Sequence, residues 1–445
     1  MGYNKAIYVM RYYVESKNFE DLYLLPSRIS QKAIVYSPLR GIAFMANKNI
    51  ARLLYAGDSS FEDVEQITNK IKQIKINSDF PVEDQLSVSE NLVFLLSNSC
   101  NLACEYCYAQ YNRRDDILSL DKIKLMIDHV FSLHVNDEKE LDISFLGGGE
   151  PTYHWKLLAL AILYAREKSA LLNLNVRIGF PTNGTLLNEE RIRFLAENNV
   201  QVGMSFDILP EIQNEQRPFT FSNKGTYGAV SKNIDLLNKY GIQTRFRTTI
   251  TPKVASRMQE MVCHTNKRFP YVKKIHFEPS YPLENDKLSN DGYDTFYSEF
   301  VRSFMVAYNT GQSLGIQVNT AVTNTLNKIK QRYCKGELCV TPSGDIVLCH
   351  RASSKKDNRF LALNYGNVDD KGVYVDLKKF ATIQSMINDI PNKCMECFSR
   401  WHCAGMCISN KMMYSEKHYK SYCQFVRTLQ SIYIENIILE GGIKS

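Results

Sequence analysis

Long apolar runs are missing from this 445-residue chain. None approaches the ~20 residues that cross a bilayer, which excludes a helical membrane anchor. The opening Met1-Gly2-Tyr3-Asn4-Lys5-Ala6 is too polar, and soon too charged, for a secretory signal. Ala6 also stands where a myristoylation pattern needs Ser or Thr, so a cytoplasmic protein is expected. No block of Lys and Arg and no basic stripe interleaved with aromatics is present, so no nucleic-acid partner is expected. Internal repeats of solenoid length and low-complexity tracts are absent too. Tryptophan is scarce, two residues against 26 tyrosines, and this fits no particular binding module. Histidines are few and scattered, eight in all, so a histidine-built metal site has little to draw on.

Cysteine is what the chain has in excess. Twelve thiols in a chain expected in the cytosol argue against disulfides and for metal. Cys100, Cys104 and Cys107 stand close together in Cys-Asn-Leu-Ala-Cys-Glu-Tyr-Cys-Tyr, just after an apolar strand. Three thiolates in one loop can hold three corners of a four-iron cluster and leave the fourth iron open to a small molecule. A structural zinc site closes with four ligands, so the loop would serve zinc only with a distant fourth residue. Otherwise the chain is ordinary for a globular protein, 44% hydrophobic and 23% charged, with material for two or three domains.

From 91 to 282 strand and helix patterns alternate. Strand-like segments cover 92–96, 141–146, 176–180, 201–206, 243–250 and 274–278, with helical patterns near 120–135, 155–170, 188–198, 226–240 and 254–268. Six such units imply a parallel sheet with right-handed crossovers. Residues 1–85 read as a small α+β unit, with strands at 6–10, 33–36 and 41–45 followed by helices near 48–56 and 60–75. This order is compatible with a winged-helix-like unit. Residues 283–330 read as a bridge with a helix near 293–310. Residues 331–445 are cysteine-rich, poor in strand pattern and expected to fold around metal more than around an apolar core, ending in a helix near 424–440.

Cys-x3-Cys-x2-Cys followed by an aromatic resembles the signature of the radical S-adenosylmethionine (radical SAM) superfamily. That resemblance implies a six-stranded (β/α)6 partial TIM barrel over 86–282, with chemistry at the C-terminal strand ends. The cysteine loop follows the first strand, as that arrangement requires. The second strand ends in Gly147-Gly148-Gly149-Glu150-Pro151, similar to the family's Gly-Gly-Glu segment. Glycine lets backbone approach a ligand closely, so Gly148, Gly149 and Glu150 are cofactor-binding candidates, although alone the run reads as a βα turn. Asn183, in Pro181-Thr182-Asn183-Gly184, and Ser205, in Ser205-Phe206-Asp207, resemble positions near the nucleoside and the methionyl carboxylate. Read by themselves they are a turn and a helix cap. Asp207 is expected to face the substrate. Arg245 and Arg247 alternate on the fifth strand, where one could reach the cofactor, though a solvated face or an ion pair serves equally.

Near the C-terminus, Cys334-x9-Gly344-x4-Cys349 precedes Cys394-x2-Cys397-x5-Cys403-x3-Cys407 and then Cys423. This layout matches the cysteine pattern of the SPASM extension of radical SAM enzymes. Cys339 adds an eighth thiol, and Pro342-Ser343-Gly344-Asp345 reads as a hairpin turn folding Cys339 toward Cys349. By resemblance Cys334, Cys339, Cys349 and Cys407 hold one auxiliary cluster, and Cys394, Cys397, Cys403 and Cys423 another; two zinc sites are the bland alternative. Three four-iron clusters would bring the net charge from +7 to roughly +2, so the basic excess largely offsets the clusters. Cys263 is left over and reads as a buried, inert thiol. His350 directly follows Cys349 and is a candidate to tune that cluster or face substrate.

The resemblance implies reductive cleavage of S-adenosylmethionine to a 5′-deoxyadenosyl radical that abstracts hydrogen from a peptide or protein. The expected partners are that substrate and a low-potential donor of flavodoxin or ferredoxin type. Oxidative cross-linking of a ribosomally made peptide is the leading expectation, with residues 1–85 binding its leader. Formylglycine generation of the anaerobic sulfatase-maturase kind is the alternative; that family usually has an acid where His350 stands. A non-catalytic iron–sulfur or zinc scaffold is the remaining one.

Overall fold

The computed structural model describes residues 19, 21–58, 60–77, 88–109, 116–135, 139–222, 224–280 and 290–441. Six consecutive parallel strands form its centre: β4 (Asn91–Phe94), β5 (Leu141–Phe145), β6 (Val176–Thr182), β7 (Val200–Ser205), β8 (Arg245–Ile250) and β9 (Lys274–Pro279), each beside the next. Alternation decides which side chains are buried. On β5, Leu141, Ile143 and Phe145 are buried while Asp142 and Ser144 are half-exposed. Phe145 stacks on Phe94 of the neighbouring strand with ring centroids 5.8 Å apart. The helices between strands start where side chains accept from orphan amides. Ser119 Oγ accepts from Lys122 N ahead of the helix Leu120–Leu133, and Asn188 Oδ1 from Arg191 N, at 2.9 Å, ahead of Glu189–Glu197. The helix expected from 254 begins at Met258, because Pro252–Arg257 forms a 3₁₀ turn first.

The sheet does not stop at the six expected strands. On one side β10 (Gln317–Asn319), from the bridging region, pairs parallel to β9. On the other β11 (Leu338–Val340) pairs parallel to β4, and β12 (Asp345–Val347), β13 (Asn364–Asp369) and β14 (Gly372–Val375) continue antiparallel, giving eleven strands. The cysteine-rich region is therefore not poor in strands. An apolar core runs through it as well. Leu338, Val340, Ile346, Val347, Phe360, Leu363 and Phe380 belong to the same apolar cluster as Phe94, Phe145 and Phe277. Its β content was hidden because three of its four strands have only three or four residues, too short for alternation to show.

At the N-terminus β1 (Tyr23–Pro26), β2 (Lys32–Ser37) and β3 (Ile42–Asn47) form an antiparallel sheet ahead of the helices Lys48–Ala56 and Glu62–Gln73. The strand expected at 6–10 lies outside the described residues; β1 carried no expectation. Residues on one face, including Leu24, Val35 and Ile42, pack with Ala51, Leu54, Val64 and Ile71 of the helices. Residues on the other face, Tyr23, Leu25, Ile34, Tyr36 and Ala43, pack on Phe398 and Ile434. Ile434 lies on the terminal helix Glu416–Leu439, longer than expected and capped by Ser415. A buried carboxylate locks this seam. Glu435 accepts from Ser27 Oγ at 2.7 Å and Arg28 N at 2.8 Å, and pairs with the Arg28 guanidinium.

Glu435→Ala leaves these donors unpaired in the seam. It should cost on the order of 1–3 kcal/mol, read as a lower denaturant midpoint in equilibrium unfolding; an unchanged midpoint would show that the seam contributes nothing to stability.

Candidate active site

A loop presenting three thiols from eight residues must still satisfy its own backbone polar groups. Here two neighbouring segments do so. From one side, Gly149 N donates to Ser97 O at 2.9 Å and Glu150 N to Ser99 O at 3.0 Å. From the other, Ala103 N donates to Pro218 O at 2.9 Å, Glu105 N to Gln216 O at 3.0 Å, and Thr220 N to Asn101 O at 2.9 Å. Held in this way, Cys104 is buried and Cys100 and Cys107 are half-buried.

The glycines after β5 are dictated by this closeness. A Cβ on Gly149 would stand 1.8 Å from Ser99 O. Gly148, at φ +63°, would place a Cβ 2.6 Å from Asn98 Oδ1, a buried acceptor with no hydrogen-bond partner among the described residues. Gly147, at φ +93°, would place one 2.9 Å from His350 O. The Glu150 side chain is a strut between the glycine turn and the third strand's end. It is buried and accepts from Thr152 N at 3.1 Å, Thr152 Oγ1 at 2.6 Å, Thr182 Oγ1 at 2.6 Å and Asn183 N at 2.7 Å. Asn183 in turn donates to Asn101 Oδ1 at 3.0 Å and lies 4.0 Å from Cys100 Sγ, so the third strand's end meets the cysteine loop. Ser205 is half-buried at the end of β7, in register with the exposed Arg247.

Asp207 does not face an open mouth. It is fully buried and accepts from Tyr106 Oη at 2.7 Å, Gln216 Nε2 at 3.0 Å and Thr249 N at 3.3 Å. Burial raises its carboxyl above the usual range, against the pull of Arg217 and these donors. Arg217 Nη1 donates to the same Tyr106 oxygen at 2.6 Å, and its guanidinium lies 5.9 Å from the centre of that ring. Burial opposes the charge on Arg217, but Cys104, Tyr106 and Asp207 together hold it well above its ordinary value. Tyr106 and Arg217 carried no sequence expectation. Their partners are distant in the chain, so no local signal marked them.

The eight C-terminal thiols fall into two neighbourhoods. Burial and then Cys423, Cys397 and Cys394 push Cys403 up to about 12; burial and then Cys394 push Cys423 up to about 11. In the other, Cys334 is exposed as a residue, yet desolvation of its thiol and then Cys407 push it up to about 12. Cys349 is raised by burial, then by Glu337 and Cys407. Cys339, fully buried on β11, is raised by burial, then by Glu337 and Cys349. Glu337 lies near all three. Burial would raise its carboxyl, but His350 and then Arg351 hold it below the usual range. Its Oε2 accepts from His350 N at 3.1 Å and pairs with His350 Nδ1 at 2.8 Å; ligand atoms of Glu337, Cys349 and His350 all lie within 4.8 Å. Tyr108 joins the two ends of the site: burial raises its hydroxyl, and Cys107 and Cys349 both add to that. Cys263 is exposed, not buried as expected, because its helix turns that position outward.

This donor set fits iron–sulfur. Thiols predominate, and a buried guanidinium beside Cys104 supplies positive charge where ligated thiolates accumulate negative charge. Residues 94–261 match the radical SAM superfamily. The chain carries a radical SAM domain. A cysteine-type anaerobic sulfatase-maturating enzyme from Clostridium novyi is 26% identical over 344 residues, covering 71% of this chain and 86% of its own. The structure of native anSMEcpe with bound AdoMet superposes with a TM-score of 0.63 at 19% identity, covering 78% of this chain and 99% of that one. Streptococcus suis SuiB, bound to its precursor peptide SuiA, superposes at 0.52 with 15% identity, covering 92% of this chain and 98% of that one. The radical SAM domain makes the protein an enzyme, and its cysteine-rich C-terminus is consistent with further iron–sulfur ligation.

Gly149→Ala forces Ser99, next to Cys100, out of place. Iron per reconstituted chain should fall by the equivalent of one cluster, about four atoms. Full wild-type iron content would show that the loop tolerates the side chain.

Proposed function

We propose that the protein uses S-adenosylmethionine to oxidise a side chain of a ribosomally made peptide, forming a cross-link. The observation that carries this reading is the N-terminal sheet seated on the terminal helix of the cysteine-rich region, within a fold likeness to SuiB that spans 92% of this chain. That SuiB structure is of a complex with the precursor peptide SuiA. A leader held by the N-terminal unit would be tethered to the body that carries the thiols.

Three four-iron clusters are proposed: one on Cys100, Cys104 and Cys107, and auxiliary ones on Cys334, Cys339, Cys349 and Cys407 and on Cys394, Cys397, Cys403 and Cys423. Cys100, Cys104 and Cys107 would hold the first, which would pass one electron from a flavodoxin- or ferredoxin-type donor to S-adenosylmethionine for reductive cleavage of its sulfur–C5′ bond. The chain's own residues bind and orient. Backbone carbonyls of Gly147, Gly148 and Gly149 would hold the methionine ammonium, with Asn98 Oδ1, which has no partner among the described residues, as a further acceptor. Asn183 and Ser205 would hold the rest of the nucleotide. Glu150 holds the glycine turn against β6. His350, oriented by Glu337 and packed against Gly147, lies on the substrate side.

Formylglycine generation is the second reading, favoured by the similarity to the Clostridium novyi enzyme over 71% of the chain. His350 in place of an acid counts against it.

Reconstituted protein should hold about twelve iron atoms per chain and release 5′-deoxyadenosine, and Cys104→Ala should release none. Turnover persisting in that variant would end the proposal. Co-expressed precursor peptide losing two hydrogens, with the loss mapped to a new link, supports cross-linking. An aldehyde on Cys or Ser of a sulfatase peptide decides for the second reading.

A further inference from the structure

A guanidinium buried with one N–H unpaired needs a reason. Arg217 is 7% exposed, and its Nε has no hydrogen-bond partner among the described residues. Its segment, Gln216–Thr220, is the one that clamps the cysteine loop through three backbone hydrogen bonds. Its Nη1 reaches Tyr106, which directly precedes Cys107, and Tyr106 Oη donates to Asp207. Burying a charge without a full set of partners is costly unless a compensating charge is supplied. Asp207 supplies one negative charge. Three donors converge on it, from Tyr106, Gln216 and Thr249, which is the pattern of an ionised carboxylate.

We infer that Arg217 is an electrostatic counter-ion that sets the reduction potential of the iron–sulfur cluster on Cys100, Cys104 and Cys107, with Asp207 as its trimming charge. The inference rests on the proposal that those cysteines hold such a cluster. Reduction adds one negative charge to a group surrounded by thiolates. A fixed positive charge nearby stabilises the reduced form more than the oxidised form and raises the potential. Buried in the clamp, the charge is screened little by solvent. Asp207 offsets part of it through the shared tyrosine, so the two residues oppose each other.

The test is an EPR-monitored redox titration of the reconstituted full chain, following the signal that changes when S-adenosylmethionine is added. Arg217→Met should shift its midpoint to more negative potential, and Arg217→Lys, which keeps the charge, should remain closer to wild type. Asp207→Asn, which leaves Arg217 uncompensated, should shift it the opposite way. Opposite shifts support the inference. A midpoint unmoved in both Arg217→Met and Asp207→Asn overturns it, even if iron content falls, since a purely structural clamp lowers occupancy without changing the loaded sites. Should Arg217→Met take up no iron, the sign of the Asp207→Asn shift decides alone. A wild-type protein with no nucleotide-responsive signal overturns the proposed function itself, an outcome separate from an unmoved midpoint.

Discussion

The cysteine loop depends on backbone hydrogen bonds from both sides. A short irregular segment carrying three thiols cannot pair its own amides and carbonyls, and in a partly buried position water does not do it. Ser97 and Ser99 lend carbonyls to the glycine turn after β5, while Asn101, Ala103 and Glu105 pair with Gln216–Thr220 after β7. The loop is thus strung between the turn after β5 and the segment that follows the helix Pro210–Gln216 beyond β7. The glycines, the Glu150 strut and the buried Asp207–Tyr106–Arg217 group all follow from keeping those segments close.

The same sheet carries the cysteine-rich region to this place. β11 lies beside β4, and Leu95 N donates to Val340 O at 2.9 Å just beyond the paired strands. The hairpin β11–β12 then returns the chain through Leu348 and Cys349 to His350, which packs on Gly147. Cys107 and Cys349, more than two hundred residues apart in sequence, both add to the rise that burial imposes on the Tyr108 hydroxyl. The N-terminal unit joins by its apolar face, by Glu435, and by a buried contact of Tyr36 Oη with His402, the neighbour of Cys403. A peptide held at either end would therefore meet a continuous body.

Much of the centre was legible from the chain. The six strands were placed within about two residues, the ordinary uncertainty of element ends, because each is a buried parallel strand flanked by a periodic helix. What failed has identifiable reasons. Short strands such as Cys339's show no period, so the C-terminal sheet and its apolar core went unseen. Glu150 was expected at the cofactor from the likeness to the Gly-Gly-Glu segment, and Asp207 was expected to face the substrate. The structure gives their oxygens to Thr152, Thr182 and Asn183, and to Tyr106, Gln216 and Thr249. Cys263 was assigned to the interior by residue type, whereas its position on the helix faces outward.

The sequence by itself determined the ligand chemistry and the repeat of strand and helix, since thiol spacing and hydrophobic period are properties of a few adjacent residues. Only the tertiary structure decided which charges and carbonyls surround those thiols. Gly149 follows β5, Asp207 and Arg217 lie beyond β7, and Glu337 precedes β11; their proximity depends on sheet order and register, which no local pattern encodes.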